Sequence, residues 1–338
     1  MPPPVTVIIP TLEGGENLEK CLAHLSAQIF TGFEVVVVDN SGRGVGAAAA
    51  RGPAARMPVR VLENRSNAGF GAAINQGIEA APGEFICTLN DDAFADPAWL
   101  EELVAAARGD PRIGMCASQV RLAGSPGLLD SAGMVAYLDG STKQRGRMAP
   151  ASAFASAEEV LFPSACAALY RAAMLAQIGR FDPDFFLYCE DTDLGLRGRR
   201  AGWGCRYVPS AVVHHRYSQS AGRASPVKAF YVERNRLYVV MKNFPLWSWP
   251  LVPLFSLWRY VMHLWGLASG RGLGGESGAG WWKLGIIVVS ANFQAMRALP
   301  AMLSRRRRAA GRAALSDLAF WRLLRRHSIS ARDLALQP

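Results

Sequence analysis

The sequence predicts an α/β protein in which helices flank a mostly parallel sheet and a helical C-terminal extension follows. Apolar runs rich in β-branched residues alternate with segments of helical spacing in the first third, which is the pattern of βαβ units. The chain has 338 residues, enough for one large domain and an appendage. Its last third differs and is rich in Trp, Leu and Arg. We therefore expect a domain over residues 1–243 and a membrane-associating helical extension over residues 244–338.

The first elements have clear patterns. Residues 5–10 form a run that is continuous in β-branched residues, typical of a parallel strand buried on both faces. Residues 16–28 have apolar side chains at helical spacing. The carboxyl ends of parallel strands share one edge of the sheet, and ligands of such sheets bind there. The same patterns predict further strands at 34–38, 59–62 and 84–89 and helices at 70–80 and 99–108.

The pattern becomes less regular after residue 110. The Gly-containing segment 122–162 has no clear period, and we expect it to vary and to determine specificity. The remaining elements expected are strands at 113–120 and 205–213 and helices at 164–178, 191–201 and 227–243.

The cysteines and the start of the chain indicate a cytoplasmic protein. Six cysteines are scattered without a Cys-x-x-Cys pair, which favours reduced core residues over a zinc site or a disulfide framework. The first residues lack the pattern of a secretory signal and lead at once into a strand.

The basic residues are concentrated in the extension. The net charge is +10, and the last 44 residues contain ten arginines and two aspartates. Four tryptophans lie nearby at 247, 249, 258 and 265, a combination that favours an anionic membrane surface over nucleic acid. A solvated basic helix end is the alternative. Prolines and charges interrupt the apolar segments, so we expect a peripheral protein at the inner face of the cell membrane and leave one or two spans open.

Two acidic clusters indicate chemistry. Asn90-Asp91-Asp92 follows a predicted strand, and Glu190-Asp191 follows an aromatic segment. Carboxylates beside apolar residues are costly to bury unless they bind a cation or react. One cluster can hold a divalent metal and the other can supply a general base, which suits group transfer from a diphosphate-bearing donor.

Several motifs occur in an order that resembles the family-2 inverting glycosyltransferases with the GT-A fold, a Rossmann-like mostly parallel sheet. The resemblance is to bacterial members similar to rhamnosyltransferases and galactofuranosyltransferases. The motifs lie at residues 5–11, 36–41, 64–77, 89–92, 179–182 and 186–194, with Arg197 and Gly202-Trp203 after them.

The resemblance implies a metal site for Mg²⁺ or Mn²⁺. Asn90-Asp91-Asp92 occupies the place of the family's Asp-x-Asp motif, with Asn90 departing from it. Asp92 becomes the expected direct ligand, because hard cations prefer oxygen donors. His215 is the second expected ligand, and His214 takes a position that is often aromatic. The metal neutralises the donor diphosphate and stabilises it as a leaving group.

The resemblance also implies donor and catalytic residues. The donor or nucleotide site is expected to include Thr11, Glu13, Asp39, Asn67, Gly69 and Asp91. Asp39 also fits a turn residue in Asp-Asn-Ser-Gly, and the loop at 67–71 also fits a plain glycine turn. Asp191 is the expected general base, with Glu190 orienting or binding the acceptor. Asp193 is expected to cap the helix or to pair with Arg197.

The function expected is transfer of a sugar from a nucleotide-sugar donor to a hydroxyl of a polysaccharide or a lipid-linked glycan. Rhamnose from dTDP-rhamnose is the first choice of donor, followed by UDP-sugars and GDP-sugars. A sugar nucleotidyltransferase is the first alternative, although the loop at 10–15 lacks the basic residue that would hold a triphosphate. A non-catalytic glycan-assembly or membrane-tethered binding protein is the second. Arginines within Arg234-Asn235-Arg236 either meet the diphosphate or pair with Glu233.

Overall fold

The computed structural model describes residues 3–52, 57–80, 83–216, 225–269 and 281–336. The strands in chain order are β1 Val5–Thr11, β2 Phe33–Asp39, β3 Val59–Glu63, β4 Phe85–Leu89, β5 Ala93–Ala95, β6 Ile113–Leu122, β7 Ser125–Ser131, β8 Met134–Ala136, β9 Thr142–Gln144, β10 Glu158–Glu159, β11 Ala167–Arg171 and β12 Gly204–His215. The helices are α1 Gly15–Ser26, α2 Val45–Ala50, α3 Phe70–Ala80, α4 Trp99–Gly109, α5 Ala172–Ile178, α6 Glu190–Arg200, α7 Pro226–Asn243, α8 Val252–Ala268, α9 Trp281–Arg297, α10 Leu299–Ala310, α11 Asp317–Arg326 and α12 Ala331–Leu336.

One large mixed sheet organises the chain, and six of its ten strands (β1, β2, β3, β4, β6 and β12) run in the same direction, as the sequence predicts for its main part. Its strand order is β10-β12-β6-β11-β4-β1-β2-β3, with β5 beside β12 and β7 beside β6. The pairs β1–β2, β1–β4, β2–β3 and β6–β12 are parallel, and β11 runs antiparallel between β4 and β6. The carboxyl ends of β1, β2, β3, β4, β6 and β12 and the amino end of β11 therefore meet at one edge.

Helices cover both faces of this sheet. Ile8 points to a core that also contains Ile74 of α3, whereas Val7 and Ile9 point to a core that contains Leu18 of α1. Both faces of β1 are buried, which explains why its sequence is rich in β-branched residues throughout instead of alternating between apolar and charged residues.

The predicted helix over residues 164–178 is wrong in its first half. Residues 167–171 form β11, and only residues 172–178 form a helix. The Ala-rich sequence Ala167-Ala168-Leu169 has good helix propensity, but it lies in the gap between β4 and β6 and pairs with both. Ladder hydrogen bonds and burial on both sides outweigh local propensity here.

A buried charge network joins the extension to the rest of the chain. Arg259 of α8 donates from Nε to Asp139 Oδ2 at 2.7 Å and ion-pairs with Glu233 of α7 at 3.0 Å. Arg236 of α7 bonds the same Glu233 carboxylate and lies 3.7 Å from Asp139. The expected boundary at residue 243 coincides with the end of α7, but the helices after it pack directly on what precedes it. Residues 270–280, 337 and 338 of the extension lie outside the described residues.

Two arginines of the run at 305–308 form contacts within the protein. Arg305 ion-pairs with Asp182 and Asp184, and Arg306 donates to the carbonyl of Phe244 at 2.6 Å. Within the described ranges no single helix has the length and apolar character needed to cross a bilayer. The pair Lys283–Arg297 and Leu299–Ala310 meets that requirement only jointly, with a bend of 57° between its parts.

Candidate active site

The first acidic cluster and His215 meet at the sheet edge because β5 pairs with the end of β12. His215 lies opposite Ala93 in that pairing, directly beside Asp92. The distance from His215 Nε2 to Asp92 Oδ1 is 3.2 Å, and the backbone N–H of Arg216 donates to the carbonyl of Asp92 at 3.0 Å. His214 faces the other way, with its Nε2 3.3 Å from Asp96. The structure thus brings together the two residues expected to bind metal.

Asp130 is a residue of this site that the sequence did not indicate. Its carboxylate lies 2.8 Å from His215 Nδ1 and also ion-pairs with Arg147. A hydrogen bond from Nδ1–H to a carboxylate orients the ring and leaves Nε2 with the lone pair that a metal needs. Asp130 lies in β7, inside the segment without a readable period, so no sequence signal pointed to it.

The donor atoms present fit a hard divalent cation. A carboxylate oxygen of Asp92 and the imidazole Nε2 of His215 converge. The carboxylate oxygen suits Mg²⁺ or Mn²⁺, and the imidazole nitrogen suits the softer Mn²⁺ better than Mg²⁺. In the described part of the chain, no group of three or more His, Cys, Asp or Glu side chains could hold a metal. Asp92 and His215 can therefore supply only part of a coordination shell, and a donor diphosphate can supply further oxygens.

Thr11 and Asp91 form a second pair at the same edge. The hydroxyl of Thr11 donates to Asp91 Oδ2 at 2.6 Å and accepts from the N–H of Gly14 at 3.0 Å. Burial raises the pKa of Asp91 to about 6; the Thr11 hydrogen bond opposes the shift and the neighbouring Asp92 adds to it. This pair links the loop after β1 to the acidic cluster after β4.

Asp39 is the last residue of β2, and both of its carboxylate oxygens accept hydrogen bonds from backbone N–H groups that follow the strand. Oδ1 accepts from the N–H of Ser41 at 2.8 Å and Oδ2 from the N–H of Gly46 at 2.7 Å, and the residue is 1% exposed. Burial would raise the pKa of Asp39, but these hydrogen bonds outweigh burial and hold it below its usual value. The turn role is therefore observed, and contact with a nucleotide stays a prediction, as it does for the exposed Glu13.

The glycine loop before α3 packs against the second acidic segment. Asn67 is exposed, and its Oδ1 accepts from the N–H of Gly69 at 2.9 Å. Gly69 has φ +88°, and a Cβ there would lie 2.5 Å from the carbonyl oxygen of Phe186. The N–H of Phe70 donates to that same carbonyl at 2.9 Å. The absence of a side chain at Gly69 is thus required by contact between two loops.

The segment before α6 has an unusual backbone. Phe186, Tyr188 and Cys189 all have positive φ, at 62°, 68° and 65°. Such conformations are costly for residues other than glycine and persist only where the surroundings enforce them. They aim the first turn of α6, which carries Glu190 and Asp191, at the sheet edge.

Asn235 of α7 holds this segment in place. Its buried Nδ2 donates to the carbonyls of Phe185, Leu187 and Tyr188 at 2.9, 2.8 and 2.7 Å. Arg234 donates to the carbonyl of Phe185 at 2.9 Å. With Arg236 paired to Glu233, the arginines of Arg234-Asn235-Arg236 serve internal contacts, which is the second of the two alternatives drawn from the sequence.

Asp191 is connected to the first acidic cluster by a short piece of backbone. Its Oδ2 accepts from the N–H of Ala165 at 3.2 Å and its Oδ1 from the N–H of Thr192 at 2.7 Å. The carbonyl of the next residue, Cys166, accepts from the N–H of Asn90 at 2.9 Å. The two clusters, about a hundred residues apart in sequence, therefore lie at one site.

Glu190 and Asp191 have carboxyl groups that favour protonation more than usual. Burial raises the pKa of Glu190 to about 8, and the adjacent Asp191 raises it further. Burial also raises the pKa of Asp191, against its hydrogen bonds to the N–H groups of Ala165 and Thr192. One side-chain oxygen of Glu190 is buried without a hydrogen-bond partner among the described residues. A carboxylate whose pKa is shifted toward neutrality is suited to accepting a proton during catalysis.

Asp193 has the structural role expected from its spacing. It is fully buried and bonds Arg197 Nε at 2.9 Å, Lys242 Nζ at 2.8 Å and Asn243 Nδ2 at 3.0 Å. Burial alone would raise its pKa, but Arg197 and Lys242 hold the pKa well below its usual value. It anchors α6 to α7.

The raised pKa of Glu190 predicts a specific pH dependence of stability. Between the unfolded pKa, about 4.3, and the folded value of about 8, the folded state holds a proton that the unfolded state has lost. Stability should therefore fall as pH rises through this window. Glu190→Gln removes the part of this dependence that Glu190 contributes, so urea unfolding should show the variant gaining stability over the parent protein between pH 5 and pH 8. The exposed Glu16→Gln is the control, and a difference independent of pH would contradict the prediction.

Comparison with known proteins identifies the family. The model of glycosyl transferase family 2 matches residues 6–179, slightly more than half of the chain. The chain belongs to glycosyl transferase family 2. This family-2 glycosyltransferase is 29% identical over 261 residues to N-acetylglucosaminyl-diphospho-decaprenol L-rhamnosyltransferase of Mycobacterium tuberculosis. The match covers 70% of this chain and 83% of that protein.

Solved structures show the same fold. GalNAc-T7 with UDP, GalNAc and Mn²⁺ matches with a TM-score of 0.57 and 15% identity, covering 70% of this chain and 47% of that one. The mannosyltransferase PcManGT of Pyrobaculum calidifontis, in complex with GDP-Man and Mn²⁺, matches with a TM-score of 0.51 and 16% identity, covering 94% and 88%. These similarities confirm the GT-A fold of this glycosyltransferase, with its helical C-terminal region.

Proposed function

We propose that this glycosyltransferase transfers a sugar with inversion, in a metal-dependent reaction, from a nucleotide-sugar donor to a hydroxyl of a polysaccharide or lipid-linked glycan. The observation that carries the proposal is the link from Asp191 through Ala165 and Cys166 to the Asn90–Asp92 cluster. It sets a candidate base beside a candidate site for the leaving diphosphate. Family membership favours transfer over the sugar nucleotidyltransferase alternative.

The residues have separable roles in this reaction. The acceptor hydroxyl oxygen forms a bond to the anomeric carbon as the bond to the diphosphate oxygen breaks on the opposite face. The hydroxyl proton moves to the carboxylate of Asp191, which the N–H groups of Ala165 and Thr192 orient. Glu190, one oxygen of which has no hydrogen-bond partner in the described part of the chain, binds the acceptor or orients it. Asp92 and His215 would hold Mn²⁺ or Mg²⁺, which when bound neutralises charge on the departing diphosphate.

The donor we propose is dTDP-rhamnose, with UDP-sugars and GDP-sugars as the next choices. Support comes from the Mycobacterium tuberculosis relative, whose name specifies L-rhamnosyl transfer to a sugar-diphospho-decaprenol. By the same similarity, a lipid-linked glycan is the favoured acceptor. An acceptor of that kind lies at a membrane surface, so we propose peripheral attachment at the inner face of the cell membrane.

Nucleotide-dependent thermal stability tests the donor and metal assignments together. With Mn²⁺ and dTDP near a hundred times the dissociation constant, the Tm should rise by about 5 °C. Asp92→Asn should lose the Mn²⁺-dependent part of the rise. The control is Asp110→Asn, which changes an acid at the C-terminal end of α4 and should keep the full rise. Absence of any shift with dTDP, UDP or GDP nucleotides would overturn the proposed donor site.

A further inference from the structure

Helix α8 is oriented with its apolar side toward solvent. Leu254, Leu257 and Leu264 are 64%, 62% and 63% exposed, and Trp258 and Trp265 are 55% and 41% exposed. The side facing the protein carries instead the buried Ser256 and Arg259. A helix on the surface of a water-soluble protein normally has the reverse arrangement.

The buried polar side chains on the inward side of α8 form hydrogen bonds and ion pairs with other segments. Arg259 bonds Asp139 and Glu233, and Ser256 accepts a hydrogen bond from Arg236 at 3.1 Å. These buried contacts fix the rotation of α8 about its own axis, because turning the helix would leave buried charges unpaired. The outward position of its leucines and tryptophans is therefore built into the fold.

Helix α9 presents a second apolar stripe. Ile286, Val289, Phe293 and Met296 are 59%, 70%, 64% and 54% exposed, at the spacing of one helical face. Its inward side carries small buried residues, Ala291 and Ala295, against α7.

The inner sides of both helices contact the same arginine of α7. Arg236 of α7 donates to the hydroxyl of Tyr260 in α8 at 3.1 Å and to Asn292 Oδ1 in α9 at 3.4 Å. One guanidinium thus touches the inner side of both helices, and both outer sides face away from it. The outward side chains of α8 and α9 are called the α8–α9 face below.

Charge indicates what covers the α8–α9 face. Residues 246–269 and 281–310 contain no Asp or Glu, while Lys283 and Arg297 are exposed at the ends of α9. Exposed tryptophans beside apolar side chains, in helices that carry basic residues and no acidic ones, match the headgroup region of an anionic bilayer. Groups of exposed apolar side chains on a soluble protein mark sites of interaction with a partner or a membrane.

We propose that the α8–α9 face docks the protein onto an anionic lipid bilayer, with its leucines and tryptophans at the level of the headgroups. The face, and not the arginine run at 305–308, is the main attachment, since Arg305 and Arg306 are engaged inside the protein. This deepens the membrane attachment proposed above but does not depend on the identity of donor or acceptor.

Flotation of the full chain with phosphatidylglycerol–phosphatidylethanolamine vesicles tests this proposal. Leu257→Glu combined with Val289→Glu should weaken vesicle binding at least about tenfold, because two apolar side chains are replaced by charges of the wrong sign. Ile29→Glu combined with Leu318→Glu adds the same charge at residues 61% and 53% exposed elsewhere, and binding should be nearly unchanged. Arg307→Gln with Arg308→Gln should weaken binding less than the α8–α9 variant.

The possible outcomes distinguish docking on a bilayer from the alternative explanations of the exposed face. Flotation of the α8–α9 variant at the level of the parent protein would overturn it. The proposal would also be overturned if the parent protein did not bind vesicles and instead formed a dimer that the same variant dissociates. In that case a second copy of the chain would cover the α8–α9 face. Nucleotide-dependent thermal stability of the variant reports separately on the donor site, so failure of the proposed reaction and failure of docking are distinguishable.

Substitution is preferable to deletion of residues 305–338 in this test. The deleted segment would include Phe320 and Leu324 of α11, which are fully buried. Loss of vesicle binding after such a deletion would follow from damage to the core as readily as from loss of arginines.

Discussion

Asp191→Asn should lower the rate of sugar transfer at least about a hundredfold, the lower range for loss of a general base. The amide cannot take the acceptor proton, yet its oxygen can still accept from the N–H of Thr192, which lies 2.7 Å from Oδ1 in the parent protein. Folding and nucleotide binding should therefore be nearly intact. The measurements are initial rates of transfer and the nucleotide-dependent Tm of the same preparation.

The control for this variant is Asp184→Asn, a half-exposed acid in the turn that precedes the catalytic segment. It should keep turnover within about threefold, because a surface ion pair contributes little to the fold. Turnover near normal in Asp191→Asn would refute its assignment as the base. Loss of both turnover and nucleotide binding would instead assign the residue to the donor site.

Asp193→Asn should lower the free energy of unfolding by about 3–5 kcal/mol, the range for breaking a buried ion pair. The variant leaves Lys242 and Arg197 without the fully buried carboxylate that they share. Because the pKa of Asp193 is lowered in the folded state, its contribution is present at neutral pH and is lost as pH falls through the folded pKa. The difference between the two proteins should therefore shrink in strong acid.

Urea denaturation at pH 7 measures this effect, with Asp317→Asn as the matched control. Asp317 also pairs with an arginine, Arg200, but its side chain is 42% exposed. The control should cost about 1 kcal/mol or less. Equal losses in the two variants would show that burial of the Asp193 cluster adds nothing to stability.

The parallel part of the sheet could be predicted from the sequence because each strand has its own local signature. The runs in β1 and β2 are apolar on both faces, and the polar residues that follow them mark the edge where the site lies. The family resemblance predicted that the acidic clusters and His215 belong to one site, and the structure brings them together.

The remaining features depend on contacts between distant segments. β11 is a strand because it pairs with β4 on one side and β6 on the other, although its own sequence favours a helix. Asp130 joins the site through the ring of His215, 85 positions away in sequence. Gly69 is needed because of the carbonyl of Phe186, and the outward orientation of α8 follows from partners in α7 and at Asp139. No local pattern encodes these relations.

The charge network around Glu233 limits how the two parts of the chain can be exchanged in evolution or in engineering. Asp139 and Glu233 are supplied by the first part of the chain and Arg259 by the second. In a chimera that joins this catalytic part to the C-terminal part of a relative, that relative would have to supply a cationic side chain at the position of Arg259. Recombination near residue 243 should therefore be poorly tolerated, and the two parts are expected to diversify together.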